Sequence, residues 1–331
     1  MTMPWTDKHV LVTGGGGFIG SHLVERLLTE GAKVRAFVRY NSRGDPGFLR
    51  MLSDSDRSSL EIIAGDLEDD DAVRKAVEST EVVFHLGALI SIPYSYKHPQ
   101  EVARTNMIGT LNVLTACRDY KVKRLVHISS SEVYGTALHV PISESHPLQG
   151  QSPYSASKIG ADKLAESFFC AFGLPVVTIR PFNTYGPRQS TRAVIPVIIT
   201  QALTQDNIHL GNLNTIRDFT FVLDTVSGMI KAAEVTGIEG KVLNLGTGQE
   251  IRIGELAQKI IQKTGRPVEI IVDSDRLRPE ASEVMRLISD NSLARKSLGW
   301  EPKTSLDDGL DQTIAWIKAH LELYRIGKYE L

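Results

Sequence analysis

Tyr154 and Lys158 stand four residues apart, a spacing that puts a phenol and an ammonium on one face of a helix. Charge proximity would draw the phenol pKa down and let Tyr154 act as a base near neutral pH. The spacing alone carries little, because Tyr324 and Lys328 repeat it near the C-terminus, where no function is assigned. Order along the chain separates the two pairs. Tyr154 follows the run Ile128-Ser129-Ser130-Ser131-Glu132-Val133-Tyr134-Gly135, which leaves the carboxyl end of a strand, where ligands bind in parallel sheets. A Ser130 hydroxyl there can hydrogen-bond a substrate hydroxyl and the oxyanion that develops from it. A carboxylate at Glu132, beside hydride chemistry, suits removal of a proton from carbon. It equally suits capping of the turn or an ion pair.

The elements that must position these groups are legible as apolar runs alternating with helical periodicity. Strands are expected at His9–Thr13, Val34–Val38, Glu61–Ala64, Val82–Leu86, Arg124–Ser129 and Val176–Arg180, with helices at Glu101–Tyr120 and Pro153–Phe172. Continuous apolar strands separated by helices indicate a parallel sheet covered on both faces, and right-handed crossovers make it doubly wound. Past Pro181 the rhythm breaks. Residues 183–214 read as turns and one Pro-containing helix; strands return at Phe219–Val222, Val242–Leu245 and near Val268–Val272, among helices that dominate from Ile253 onward. The expected architecture is therefore an α/β Rossmann fold with a smaller mixed C-terminal lobe. Residues 1–181 plus about 216–247 form the dinucleotide domain, and 182–215 plus 248–331 the substrate lobe.

The first strand ends in Thr13-Gly14-Gly15-Gly16-Gly17-Phe18-Ile19-Gly20. Glycines at 14, 17 and 20 allow a sharp turn and close approach of a pyrophosphate, and the helix that opens at Phe18 and Ile19 presents free N–H groups to it. After the second strand stand Arg39, Ser42 and Arg43, with no carboxylate before Asp45. Two arginines there suit a 2′-phosphate and favour NADP(H); NAD is the alternative if both are merely solvated. Asp66 and Leu67 follow the third strand, where a carboxylate can accept from the adenine amino group. Leu86 and Ala88 follow the fourth and run beside the cofactor.

Composition excludes several other classes. Of 331 residues, 42% are apolar and 23% charged, as in a folded enzyme rather than a disordered chain. Lys plus Arg is 37 and Asp plus Glu 39, a net charge of −2 that gives no bulk support for nucleic-acid or anionic-membrane binding. Two cysteines, Cys117 and Cys170, exclude a disulfide framework and read as small core residues. Nine histidines show no metal-ligand spacing, so no metal is expected. No signal peptide or membrane-length apolar run is visible, which makes the cytoplasm the default address.

The glycine loop, Asp66, Ser130, Tyr154 and Lys158 together resemble the extended short-chain dehydrogenase/reductase family, the nucleotide-sugar epimerases and dehydratases. The runs Arg180-Pro181-Phe182-Asn183-Thr184-Tyr185-Gly186-Pro187-Arg188, Arg217-Asp218-Phe219, Asn244-Leu245-Gly246 and Leu298-Gly299-Trp300-Glu301-Pro302 are similar to its downstream signatures. Family 4-epimerases usually lack a carboxylate at position 132, whereas 4,6-dehydratases have one. Glucose-nucleotide dehydratases carry Asp-Glu where this chain has Ser131-Glu132; GDP-mannose 4,6-dehydratases and UDP-glucuronate decarboxylases show Ser-Glu. The segment 147–154, with Gln189 and residues 192–196, most resembles the nucleotide-GlcNAc 4,6-dehydratases of the legionaminic-acid pathway.

The resemblance implies a tightly bound dinucleotide regenerated at each turnover. Tyr154 takes the 4-hydroxyl proton as C4 is oxidised, Ser130 orients that hydroxyl, and Lys158 holds the nicotinamide ribose. Glu132 removes the C5 proton and protonates the departing 6-hydroxyl, and hydride returns to C6. Arg217, Arg278 and Arg192 would meet the donor's diphosphate, and Asn183 the sugar or phosphate. A homodimer through the helices Glu101–Tyr120 and Pro153–Phe172 is implied as well. The alternatives are a 4-epimerase, a decarboxylase and a non-enzymatic dinucleotide sensor.

Overall fold

The computed structural model describes residues 5–324. Lys328, and with it the second Tyr–Lys pair, lies outside the described residues, as do Met1–Pro4. Seven parallel strands form the main sheet: β1 (His9–Thr13), β2 (Lys33–Arg39), β3 (Glu61–Gly65), β4 (Val82–His85), β5 (Arg124–Ile128), β6 (Val176–Pro181) and a last strand, Val242–Leu245. Their order is β3-β2-β1-β4-β5-β6 followed by Val242–Leu245, so the winding direction reverses between β1 and β4. In register, Thr13 lies opposite His85, His85 opposite His127 and Ile128 opposite Ile179. The three strand ends are therefore level. The residues that follow them, Gly14, Leu86 and Ser129, open into one crevice at the switch point.

Two helices bring the chemistry to that crevice. The helix Pro153–Phe172 begins in a capping box. The Ser152 hydroxyl accepts from Ser155 N–H, the Ser155 hydroxyl accepts from Ser152 N–H, and Pro153 occupies the first turn. It stops at Gly173, whose φ of 66° is left-handed. The expected helix Glu101–Tyr120 exists but is interrupted. It runs as Pro99–Ala103, a π-turn over Arg104–Ile108, and Gly109–Asp119. The extra residue of the π-turn accompanies the inward side chain of Asn106, which accepts from Leu89 N–H and donates to the Leu89 carbonyl and to Ser157 Oγ.

The C-terminal lobe holds more strand than its sequence suggests. Asn207–Leu210 pairs in parallel with Glu269–Val272. Ile216–Arg217 lies between Ile251–Arg252 and Arg286–Leu287. The strand expected at Phe219–Val222 shrinks to Thr220–Phe221, paired with Thr184–Tyr185, because Val222 already starts the helix Val222–Glu234. That helix packs on the main sheet beside β5 and β6, while the helices Val194–Thr204, Ile253–Thr264 and Leu306–Ala319 build the smaller lobe. One apolar core spans both, from Val10 and Leu23 through Ile195 and Leu256 to Trp300 and Ile317. Cys117 is buried as expected, whereas Cys170 is exposed. Among the described residues no helix is long and apolar enough to cross a membrane.

Candidate active site

A cavity of about 560 Å³ occupies the switch-point crevice. Its walls include Gly14, Gly17, Phe18, Ile19, Gly20, Arg39, Leu86, Ala88, Ser130, Glu132, Tyr154, Lys158 and Asn183, all named from the sequence. Asp66 and Leu67 line an adjoining pocket of about 120 Å³ that shares Gly14, Arg39 and Ala88 with it. Ser42 and Arg43 are exposed on the loop after β2 and are not part of the main wall.

The glycine loop is packed too tightly for side chains. A Cβ at Gly20 would meet the Gly14 carbonyl oxygen at 2.2 Å, and Gly14 itself has φ +70°. The next helix starts at Phe18 with no side chain capping its first N–H groups, which leaves them to the cavity. These features fit a dinucleotide pyrophosphate.

The loop after β2 changes the reading of the ribose end. The Asn41 side chain accepts from Arg43 and Asp45 N–H and donates to the Asp45 carbonyl, so the loop folds back. Asp45, Pro46 and Gly47 thereby join the cavity wall beside Val38 and Arg39. Arg39 is paired with Glu101 at 3.3 Å, and Glu101 also accepts from the Tyr94 hydroxyl at 2.5 Å. The Asp45 carboxylate on the wall is paired with Arg50 at 3.2 Å, and Arg39, one of the two arginines expected to bind a 2′-phosphate, has an anionic partner of its own. The sequence argument for NADP(H) loses its main support here.

At the reacting end, Ser130 and not Glu132 caps the short turn Ser131–Tyr134: its Oγ accepts from Glu132 N–H at 3.2 Å. The Ser130 proton is thus left for Tyr154, whose phenolate it favours. Lys158 donates to the Ile128 carbonyl at 2.7 Å. Burial dominates both titrations. It pushes the Tyr154 phenol up to about 12, assisted by Glu132 and Asp162, and pulls the Lys158 ammonium down to about 8. Lys158, expected to draw the Tyr154 phenol down, is not among the groups that act on it here; the Ser130 hydroxyl is the one that lowers it.

Beneath the pair lies a carboxylate the sequence did not single out as functional. Asp162, one turn beyond Lys158, accepts from Ser129 Oγ at 2.9 Å and from Arg180 Nη2 at 2.9 Å, and contacts His127 Nε2 at 3.1 Å. It grips the residues on either side of Ile128, whose carbonyl holds Lys158. Arg180 continues to the Tyr134 hydroxyl at 3.0 Å, which donates to Asn244 Oδ1 at 2.7 Å.

A second cavity of about 270 Å³ joins the first and shares Glu132, Asn183, Thr184 and Gln189 with it. Arg192, Arg217 and Arg278 line it, together with Arg276 and Glu283. Arg217 is buried, with its Nη2 at 3.8 Å from Glu283; the Arg278 Nη1 lies 4.0 Å from both Glu132 and Glu283. Burial lowers the Arg217 pKa, opposed chiefly by the Glu132 carboxylate. Asp218 is a structural hub: it accepts from Thr247 N–H, Gly248 N–H and Ser289 N–H at 2.8–3.1 Å. Asn183 donates to the Asp218 carbonyl at 3.3 Å. No periodicity or motif pointed to Glu283, because its role depends on a fold-back from a remote segment.

A dinucleotide crevice lined by Ser130, Tyr154 and Lys158, and a cationic cavity that shares Glu132 and Asn183 with it, describe a Rossmann-type nucleotide-sugar enzyme. The chain belongs to the GDP-mannose 4,6 dehydratase family, whose model matches residues 11–313. A UDP-glucose 4-epimerase of Mycolicibacterium smegmatis is 34% identical, the match covering 93% of this chain and 98% of the relative. A dTDP-glucose 4,6-dehydratase of Streptomyces griseus is 33% identical over 94% of each chain. The crystal structure of a Streptomyces venezuelae dTDP-glucose 4,6-dehydratase with NAD bound superposes with a TM-score of 0.86, at 28% identity, covering 96% of this chain and 99% of that one.

Proposed function

We propose that the protein is a nucleotide-sugar 4,6-dehydratase that converts a UDP- or GDP-linked N-acetylglucosamine to its 4-keto-6-deoxy form. The observation that carries this reading is Glu132. Its carboxylate does not cap the turn, lies beyond hydrogen-bond reach of Arg278, and borders the cavities of both the dinucleotide and the donor. When bound, the dinucleotide supplies a hydride acceptor that is restored within the same turnover, and a positive charge. Tyr154 takes the proton of the sugar 4-hydroxyl, with Ser130 orienting that hydroxyl and Lys158 adding charge. The C4 ketone acidifies C5–H. Glu132 removes that proton and then protonates the departing 6-hydroxyl; Ser131 cannot supply the acid that an aspartate would.

The 4-epimerase relative supports a second reading, in which C4 is oxidised and reduced again on its other face. That chemistry has no use for the Glu132 carboxylate. The resemblance of residues 147–154 supports the GlcNAc-linked donor and the legionaminic-acid pathway. Arg192, Arg217 and Arg278 would hold the diphosphate. For the cofactor we favour NAD over NADP, on the strength of Asp45 and the Arg39–Glu101 pair. NAD is expected to bind more tightly than NADP in side-by-side titrations, and tighter NADP binding would refute this assignment. The reading includes a homodimer through the helices containing residues 99–119 and 153–172, where Ile108 and Phe172 are left 44% and 54% exposed.

The Glu132→Gln variant tests the role of the carboxylate. It should abolish water loss, by at least about a hundredfold, while reduced dinucleotide and a 4-keto sugar still form. Full dehydratase activity in this variant would sink the proposal.

A further inference from the structure

Gln151 stands one residue before the cap of the tyrosine helix and lines neither cavity. Its Oε1 accepts from Thr136 N–H at 2.6 Å and from Thr136 Oγ1 at 3.2 Å, just past the turn that carries Glu132. Gly135 makes room for this contact: its φ is +61°, and a Cβ there would meet Gln151 Oε1 at 2.7 Å. On its other side the amide donates from Nε2 to the Ala281 carbonyl at 3.3 Å. The Gln151 carbonyl accepts from Ser282 Oγ at 2.7 Å. Ser282 spends its one proton there, so the Tyr96 hydroxyl, 2.6 Å away, donates to it. Ala281 and Ser282 belong to the segment 274–283, which carries Arg276, Arg278 and Glu283 into the wall of the second cavity.

We infer that Gln151 is a positioning residue that holds the Glu132 turn, the donor-side segment and the start of the tyrosine helix as one unit. The inference rests on the reading above, in which Glu132 and Tyr154 act on the sugar and Arg278 meets its diphosphate. None of the three pieces is part of the main sheet. Their relative placement is set by contacts such as these and by the bond from Gln149 N–H to the Val133 carbonyl at 2.8 Å. A carboxamide suits the position because it must accept on one side and donate on the other. A carboxylate could serve only Thr136, and an ammonium only Ala281. Fixing the base and the phosphate-binding arginine to one frame keeps the reacting groups in register, where a misplacement of about 1 Å costs about a hundredfold in rate.

Hydrogen exchange followed by mass spectrometry on the NAD-loaded protein tests the tie without reference to turnover. Gln151→Glu keeps the acceptor for Thr136 and loses the donor to Ala281. The peptide over residues 277–284 should then exchange about fivefold faster, the worth of one hydrogen bond, and that over 131–137 at the wild-type rate. Gln151→Met should quicken both. Wild-type exchange in Gln151→Met would overturn the inference, and so would a rise spread evenly over the chain, the mark of general destabilisation. Steady-state kinetics with the GlcNAc-linked donor give a readout that a merely structural role would not split. Gln151→Glu should raise KM about fivefold and leave kcat within about twofold, whereas Gln151→Met should also lower kcat about fivefold. The same change in both variants would contradict the two-sided role. Calorimetric titration of UDP and GDP separates this inference from the reading beneath it. If the segment loosens and their binding does not weaken, the diphosphate reading fails and the tie stands; if the segment does not loosen, only the tie fails.

Discussion

Lys158 is costly for the fold at the place where the proposed mechanism calls for its charge. Its ammonium is fully buried, and burial lowers its pKa from an ordinary 10.5 to about 8. Between those two values the unfolded chain binds more protons at this residue than the folded one, so its contribution to stability rises with pH across that window. Below about 8 the lysine is protonated in both states and its burial penalty is at its largest. Lys158→Met should therefore raise stability at neutral pH by about 1–2 kcal/mol, after allowing for the lost bond to the Ile128 carbonyl, and should flatten the rise toward pH 10.5. The same variant should have almost no activity. Denaturant titrations across that pH range check both statements; a destabilised variant with an unchanged pH slope would contradict them.

At this scale residue type and chain order were enough to bring Ser130, Glu132, Tyr154 and Lys158 to one cavity wall. The sequence was not readable where burial or a distant partner decides. The phenol pKa of Tyr154 depends on enclosure by several elements. Arg39 finds Glu101 from another strand–helix connection, and Asp45 reaches the cavity only because Asn41 folds its loop.

At the scale of elements, the strand ends are aligned by sheet register and the tyrosine helix is aligned by its start. Ser152 caps that helix two residues before Tyr154, so the cap fixes both the first turn and the phenol. Ser152→Ala should cost about 1 kcal/mol of stability. It should also lower kcat more than it raises KM, since the arginines proposed to hold the donor's diphosphate lie on other elements. Thermal melts with steady-state kinetics measure this; an unchanged kcat would mean that packing alone positions Tyr154.

The apolar runs of the main sheet identified all seven strands within one or two residues: the inner strands are largely buried and need little context, and the mostly exposed edge strand β3 is marked by the β-branched pair Ile62-Ile63. Asn207–Leu210 was missed, since Asn-Ile-His-Leu has no strong pattern and becomes a strand only by pairing with Glu269–Val272. The π-turn was missed because it answers to Asn106 and its bonds to Leu89 and Ser157.

At the scale of the molecule, the two lobes share one apolar core, and the active site lies where they meet. The net charge of −2 conceals a strong local asymmetry: four arginines line the second cavity against two glutamates. The signatures downstream of Pro181 prove mainly structural. Asp218 joins Thr247, Gly248 and Ser289, and Trp300 donates to the Asp224 carbonyl at 3.0 Å, which ties the C-terminal segment to the sheet-side helix. Such ties place Arg217 and Glu283 opposite Glu132 without themselves touching the reaction.

In the proposed mechanism Glu132 turns oxidation at C4 into loss of water. The direct measurement is incubation of the NAD-loaded protein with UDP-GlcNAc, GDP-GlcNAc and UDP-glucose, followed by mass spectrometry of the intact nucleotide sugars. The expected product is lighter by one water, bears a 4-keto and a 6-methyl group, and forms from a GlcNAc-linked donor with no net consumption of NAD. An epimer of unchanged mass would contradict the mechanism.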